Sequence, residues 1–141
     1  MNLSFHEKSI WISLVATLAV FGYYQYQVAV AFFSPNSEIN LNLLFFGAII
    51  LTVIIQVVTQ SILAIMNKKD SERGLDERDR IIQLKSLQIS HYILVFGIWV
   101  AGLCLFLEFT APMIAHAALF FFILSEITGF TVQLIQYRRG S

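Results

Sequence analysis

Cysteine is nearly missing from this chain. The lone Cys104 has no second thiol to pair with inside the chain and no companions for a soft-metal site, which excludes an intrachain disulfide framework or zinc module and leaves Cys104 as a packing residue. Charge is almost as scarce, at 13% of residues, and proline occurs only at Pro35 and Pro112. With so few charges, 57% hydrophobic side chains cannot be kept in solution as a soluble domain of this size. The usual signatures of catalysis are missing too. There is no His-Glu-x-x-His pair, no glycine-rich phosphate loop and no nucleophile elbow, and Ser125 beside Glu126 has no histidine within obvious reach. The expectation is a protein that is not an enzyme, with no cofactor, no metal site and no nucleic-acid partner.

What remains is apolar and long. In 141 residues of mean hydropathy +0.74, four runs, 10–33, 42–66, 86–107 and 111–137, each approach the ~20 residues needed to cross about 30 Å of hydrocarbon. The first ends in Tyr23-Tyr24-Gln25-Tyr26-Gln27 instead of a small-residue cleavage site, so it reads as a retained helix and not as a signal peptide. The predicted fold is all-α, a polytopic membrane four-helix bundle made of two transmembrane hairpins, forming one transmembrane domain over 1–141. Its first partner is the lipid bilayer.

The zero net charge hides an asymmetry. All nine Lys and Arg fall before the first run, between the second and third, or after the fourth, whereas the other two connections carry only Glu38 and Glu108. The positive-inside rule therefore predicts cytoplasmic N- and C-termini and a cytoplasmic loop 67–85 in a cell inner membrane, with the short loops at Pro35 and Pro112 facing outward.

The two hairpins echo each other. Lys8-Ser9-Ile10-Trp11-Ile12-Ser13 matches Lys85-Ser86-Leu87-Gln88-Ile89-Ser90, Val20-Phe21-Gly22 matches Val95-Phe96-Gly97, and Leu44-Phe45-Phe46 matches Leu119-Phe120-Phe121. A parallel repeat about the membrane normal is one reading, and chance recurrence of aliphatic and aromatic strings is the other. In either case Glu126 aligns with Leu51, so the polar residues are not duplicated.

Between the hairpins, Gly74 is expected to break the chain, and Asp76 to cap a helix in a capping-box-like pair with Asp79 that runs on into the third span. Asp76 and Arg80 lie one turn apart there, a spacing that adds only tenths of a kcal/mol. The mixed charges Asp76, Glu77, Arg78, Asp79 and Arg80 read either as a solvated cytoplasmic helix or as a contact for a cytoplasmic protein partner through loop 67–85.

A resemblance rests on Phe5-His6-Glu7-Lys8-Ser9-Ile10-Trp11-Ile12, on Asp76-Glu77-Arg78-Asp79-Arg80-Ile81-Ile82, and on Leu124-Ser125-Glu126 followed by Tyr137-Arg138-Arg139-Gly140. With these motifs the chain resembles a family of small uncharacterised prokaryotic four-helix integral membrane proteins with a central Asp-Glu-Arg-Asp motif, over nearly its whole length. That motif also resembles other small membrane proteins, some encoded beside short helix-turn-helix regulators. The resemblance implies fold and topology and brings no activity with it.

Glu126 is the most informative residue. It lies about 3 Å past the centre of a run roughly 40 Å long, where a charge costs roughly 2.5–3.5 kcal/mol on insertion scales. A carboxyl group there is protonated, paired or functional. Depth counting places Gln56 at its level, on a face of the second span that also carries Thr52 and Gln60 at i, i+4 and i+8. His91 enters the third span at the level of Gln60, and Gln133 lies two turns below Glu126. Glu126, Gln56, Gln60, His91 and Gln133 are thus predicted to line a polar track from midplane to cytoplasm. Two readings stand: a binding or proton-coupling site, or a structural lock in which protonated Glu126 donates to Gln56, a bond worth roughly 0.6–2 kcal/mol.

Other signals are thinner. Glu108 and His116 flank the tight Phe109–Pro112 turn and could pair near the outer surface, but two ligands do not make a metal site. Gly97 with Ala101 and Ser125 with Gly129 permit close helix approach, within one subunit or across a homodimer or higher oligomer. Tyr23, Tyr24 and Tyr26 suit either an outward vestibule or rings lying at the headgroups.

Overall fold

The computed structural model describes residues 5–34, 40–66 and 76–139. Gly74, Pro35, Glu38 and the stretch 67–75 of the predicted cytoplasmic loop lie outside the described residues. The described chain is helical: α1 (Phe5–Phe33), α2 (Leu41–Met66), α3 (Glu77–Phe106) and α4 (Ala111–Arg139). All four are long and apolar enough to cross a membrane. Their exposed side chains are what lipid demands, with Trp99 75% and Phe106 88% accessible. α1 begins earlier than the apolar run predicts, taking in Phe5 to Ser9, because the local helix does not end where hydropathy does.

The chain separates into two compact units, 1–73 and 74–141, each built on one hairpin. In the first, Asn40 starts α2: its Oδ1 accepts from the Leu43 N–H at 3.1 Å and its carbonyl from the Leu44 N–H at 3.0 Å, serving two of the donors a helix start leaves over. α1 buries Ile10, Leu14, Thr17, Phe21, Tyr24 and Val28, alternately four and three residues apart, the seam of a left-handed helix pair. Tyr24 is fully buried and meets Phe21 edge-to-face, ring centroids 6.1 Å apart. From α2, Ala48 and Leu63 are buried.

The second unit is the more closely packed hairpin. Asp76 caps α3 in a complete capping box: its Oδ1 accepts from the Glu77 N–H at 2.7 Å, its side chain also takes the Asp79 N–H, and Asp79 Oδ2 accepts from the Asp76 N–H at 3.3 Å. α3 ends in a Schellman motif, with Phe109 N–H returning to Cys104 O at 3.1 Å and Glu108 N–H to Leu105 O at 3.2 Å. That closure holds Glu108 at φ 59°, a left-handed conformation usually given to glycine. Pro112 follows in the first turn of α4, where its missing N–H is not needed.

Helix contact in lipid depends on small residues more than on hydrophobicity. Gly97 is buried, and a Cβ there would overlap the Phe121 side chain. Gly129 faces Ser90, with 3.5 Å between its would-be Cβ and the Ser90 Cβ. The repeat-matched Gly22 has open space around it, so the two hairpins do not pack equivalently at this position.

Candidate functional site

The polar residues divide by hairpin. In the first, Ser9 Oγ donates to Gln60 Oε1 at 2.7 Å and Ser13 Oγ donates to Gln56 Oε1 at 2.9 Å. Gln60 Nε2 donates in turn to Ser13 Oγ at 2.9 Å and, more weakly, to the Ser9 carbonyl at 3.4 Å. Ser9 and Ser13 sit one turn apart on α1, Gln56 and Gln60 one turn apart on α2, and the two rows run antiparallel, so each rung meets its opposite. Thr52, the third member of the α2 row, turns back to the Ala48 carbonyl at 2.8 Å. Gln56, which depth counting assigns to Glu126, is therefore engaged inside its own hairpin. The serines are the residues that sequence reasoning missed here. Their i, i+4 spacing opposite two glutamines was the available signal.

Glu126 belongs to the second hairpin. The sequence led us to expect a buried carboxyl group; it is exposed on its hairpin, on the wall of a groove of about 380 Å³. α3 contributes Arg80, Gln83, Ser86, Leu87 and Ser90 to that groove, and α4 contributes Gln133 beside Glu126. Within its hairpin the Glu126 carboxyl has no hydrogen-bond or ion-pair partner among the described residues. Its neighbour Ser125 is buried and donates to the Phe122 carbonyl at 2.7 Å, a packing role. Of the predicted track, then, Glu126 and Gln133 share one groove of the second hairpin, and Gln56 and Gln60 share a ladder within the first. His91 is exposed and is not among the groove residues; its neighbour Ser90 takes that place. The reason is rotational, since successive helix positions differ by about 100° and depth alone does not fix the face.

The central charged motif closes the arginine-bearing end of the same hairpin. Tyr137 Oη donates to Asp79 Oδ1 at 2.6 Å, and Arg78 Nη2 reaches the Tyr137 carbonyl at 3.4 Å. Asp76, Arg78 and Asp79 thus carry structural work, while Glu77 and Arg80 are exposed. At the opposite end His116 is buried and Glu108 exposed. Among the described residues no three His, Cys, Asp or Glu side chains gather as metal ligands. In the first hairpin, Tyr23 and Tyr24 line a chiefly apolar groove of about 620 Å³ with Val20, Asn40, Leu44, Gly47 and Leu51. No protein-family model matches this chain, no curated protein matches it, and no solved structure matches it.

Proposed function

We propose that this chain is a non-enzymatic accessory, regulatory or protective membrane protein, whose groove around Glu126 receives a partner helix or a small ligand. One observation carries the reading. The Gln56 and Gln60 amides of the first hairpin are engaged with its serines, whereas the Glu126 carboxyl, near the middle of the apolar α4, finds no partner in its own hairpin among the described residues. A polar group with no local structural duty in lipid is retained at a cost, and an outside partner would offset that cost. The distribution of Lys and Arg favours an inner-membrane protein with both termini cytoplasmic, and the motif resemblance favours membership of the small prokaryotic four-helix family. Exposed Glu77 and Arg80 would then meet a cytoplasmic protein, and a dimer or larger oligomer is the proposed assembly.

The test is thermal unfolding of purified wild type and Glu126→Gln in detergent, over a panel of cations, lipids and small molecules. Binding to the folded state raises the midpoint, and a shift present in wild type and absent in the variant is the expected result. Equal shifts in both proteins would make Glu126 a structural residue only.

A second reading has its own support, the continuity of the groove from Arg80 to Glu126. It is a small oligomeric proton- or cation-coupled transporter with Glu126 as the coupling carboxyl. Reconstituted vesicles under an imposed gradient should show flux that Glu126→Gln abolishes; a Glu126-independent leak would dismiss it.

A further inference from the structure

We propose that the α3–α4 groove is a water-filled approach leading from the arginine-bearing end of the hairpin to Glu126, and that it admits small cations in preference to anions. The lining carries the argument. Counting about 1.5 Å per residue, the α3 side rises about 15 Å from Arg80 to Ser90, and the α4 side climbs in parallel from Gln133 to Glu126. Polar groups occur at every turn of that climb: Arg80 and Gln83 at the entrance, then Ser86 and Gln133, then Ser90 and Glu126. A lipid-facing stripe has no use for such a row, because hydrocarbon offers it no hydrogen bonds.

The polarity of the row has a sign. Ser86 Oγ gives its proton to the Gln83 carbonyl at 2.8 Å, and Ser90 Oγ gives its proton to the Leu87 carbonyl at 3.0 Å. Both hydroxyls are spent as donors on their own helix, which leaves oxygen lone pairs as their remaining hydrogen-bonding capacity. Ser86 is buried, so Ser90 is the hydroxyl that turns a lone pair to the groove. With the Glu126 carboxyl at the head of the groove, the polar groups of the inner end, set among Leu87, Gly129 and Phe130, are acceptors, suited to water or a cation and unsuited to an anion. Arg80 is the one cationic group of the lining, and it sits at the mouth, where solvent and salt screen it. Charge at the inner end acts through a lower dielectric and over a longer range. A Cβ added at Gly129 would meet Ser90 at van der Waals distance, so α3 and α4 approach closely at the inner end.

The inference rests on the membrane orientation proposed above for which side the mouth faces, and the experiment separates the two. Cys104 is first replaced by alanine. Single cysteines are then placed in the groove, at Leu87 and at Gln133, and outside it at similar depth, at Ile89 and at Thr131, both exposed and neither lining the groove. Oriented vesicles are treated from either face with a membrane-impermeant trimethylammonium-ethyl thiosulfonate and its sulfonate counterpart of similar size.

The expected result is reaction at Leu87→Cys and Gln133→Cys from the cytoplasmic face, about tenfold faster with the cationic reagent, and none at the two controls. Adding Glu126→Gln should bring the two rates to within about twofold. Two cysteine positions on different helices guard against one variant failing to fold. Reaction only from the opposite face would uphold the groove and overturn the orientation. Groove cysteines that react solely with an uncharged, membrane-permeant maleimide would show a lipid-filled groove and overturn the inference, while leaving Glu126 available to a partner helix. A faster anionic reagent would overturn the cation preference.

Discussion

Tyr137 and Asp79 lie 58 positions apart in sequence and are joined by a 2.6 Å hydrogen bond from the phenol to the carboxylate, which closes the open end of the second hairpin. Asp79 is at the same time the reciprocal acceptor of the α3 capping box. One carboxylate therefore starts a helix and fastens it to the end of its neighbour.

Tyr137→Phe removes only the fastening. A hydrogen bond to a charged group is worth about 1.5–3 kcal/mol, less at an exposed helix end, so a loss near 1 kcal/mol is expected. Asp79→Ala also removes the reciprocal arm of the capping box, leaving the Asp76 cap in place, and should cost about 0.5 kcal/mol more. Denaturation midpoints of both variants and the double variant check this; a double variant no worse than Asp79→Ala is the signature of a shared bond.

Gly97→Ala and Gly129→Ala should part company. At Gly97 the added methyl overlaps Phe121, and overpacking of that kind costs about 1–3 kcal/mol. At Gly129 the nearest atom, Ser90 Cβ, is an ordinary 3.5 Å away, so the gain in helix propensity, up to about 1 kcal/mol, has no clash to oppose it. Thermal stability in detergent should fall for the first and hold or rise for the second. Equal losses would mean that the Gly97 contact yields.

Ser13→Ala takes two bonds from the first hairpin at once, since Ser13 donates to Gln56 and accepts from Gln60. Interhelical bonds in membranes average about 0.6 kcal/mol, so the expected loss is about 1 kcal/mol or somewhat more. Thr52→Ala, whose hydroxyl serves its own helix, should change far less. Parallel unfolding curves of the two variants decide the point.

Glu108→Gly should stabilise the second hairpin. The left-handed residue of the Schellman turn carries a Cβ at a cost of about 1 kcal/mol, which glycine does not incur. A higher melting midpoint with unchanged helix content is the expected reading; a lower one would show that the Glu108 side chain itself contributes.

Where an apolar run met a polar residue or proline, the sequence placed helix ends well, as at Leu41, Met66 and Ala111. It placed them less well at Phe5, where helical bonding outlasts the run, and correctly expected the extension below the third span only because Asp76 and Asp79 have capping spacing. The α2 glutamine row was legible from its four-residue period. Its partners were not, because depth counting gives the level of a side chain and not its azimuth, and chain neighbours in a hairpin usually outrank more distant residues at the same level. The same limitation sent His91 into the track in place of Ser90. The bond from Tyr137 to Asp79 was not legible, because nothing local in sequence links the two.

The serine–glutamine ladder also bears on how the protein enters its bilayer. α1 is the least apolar of the four spans and α2 the most. Buried Ser13 and Thr17, with half-buried Ser9, make α1 a poor candidate for stable residence in lipid alone. Once α2 emerges, its glutamines supply the partners that α1 lacks, and α1's serines do the same for the glutamines. The first hairpin is thus expected to be more stable in the membrane as a pair than as two separate helices, with the second helix retaining the first.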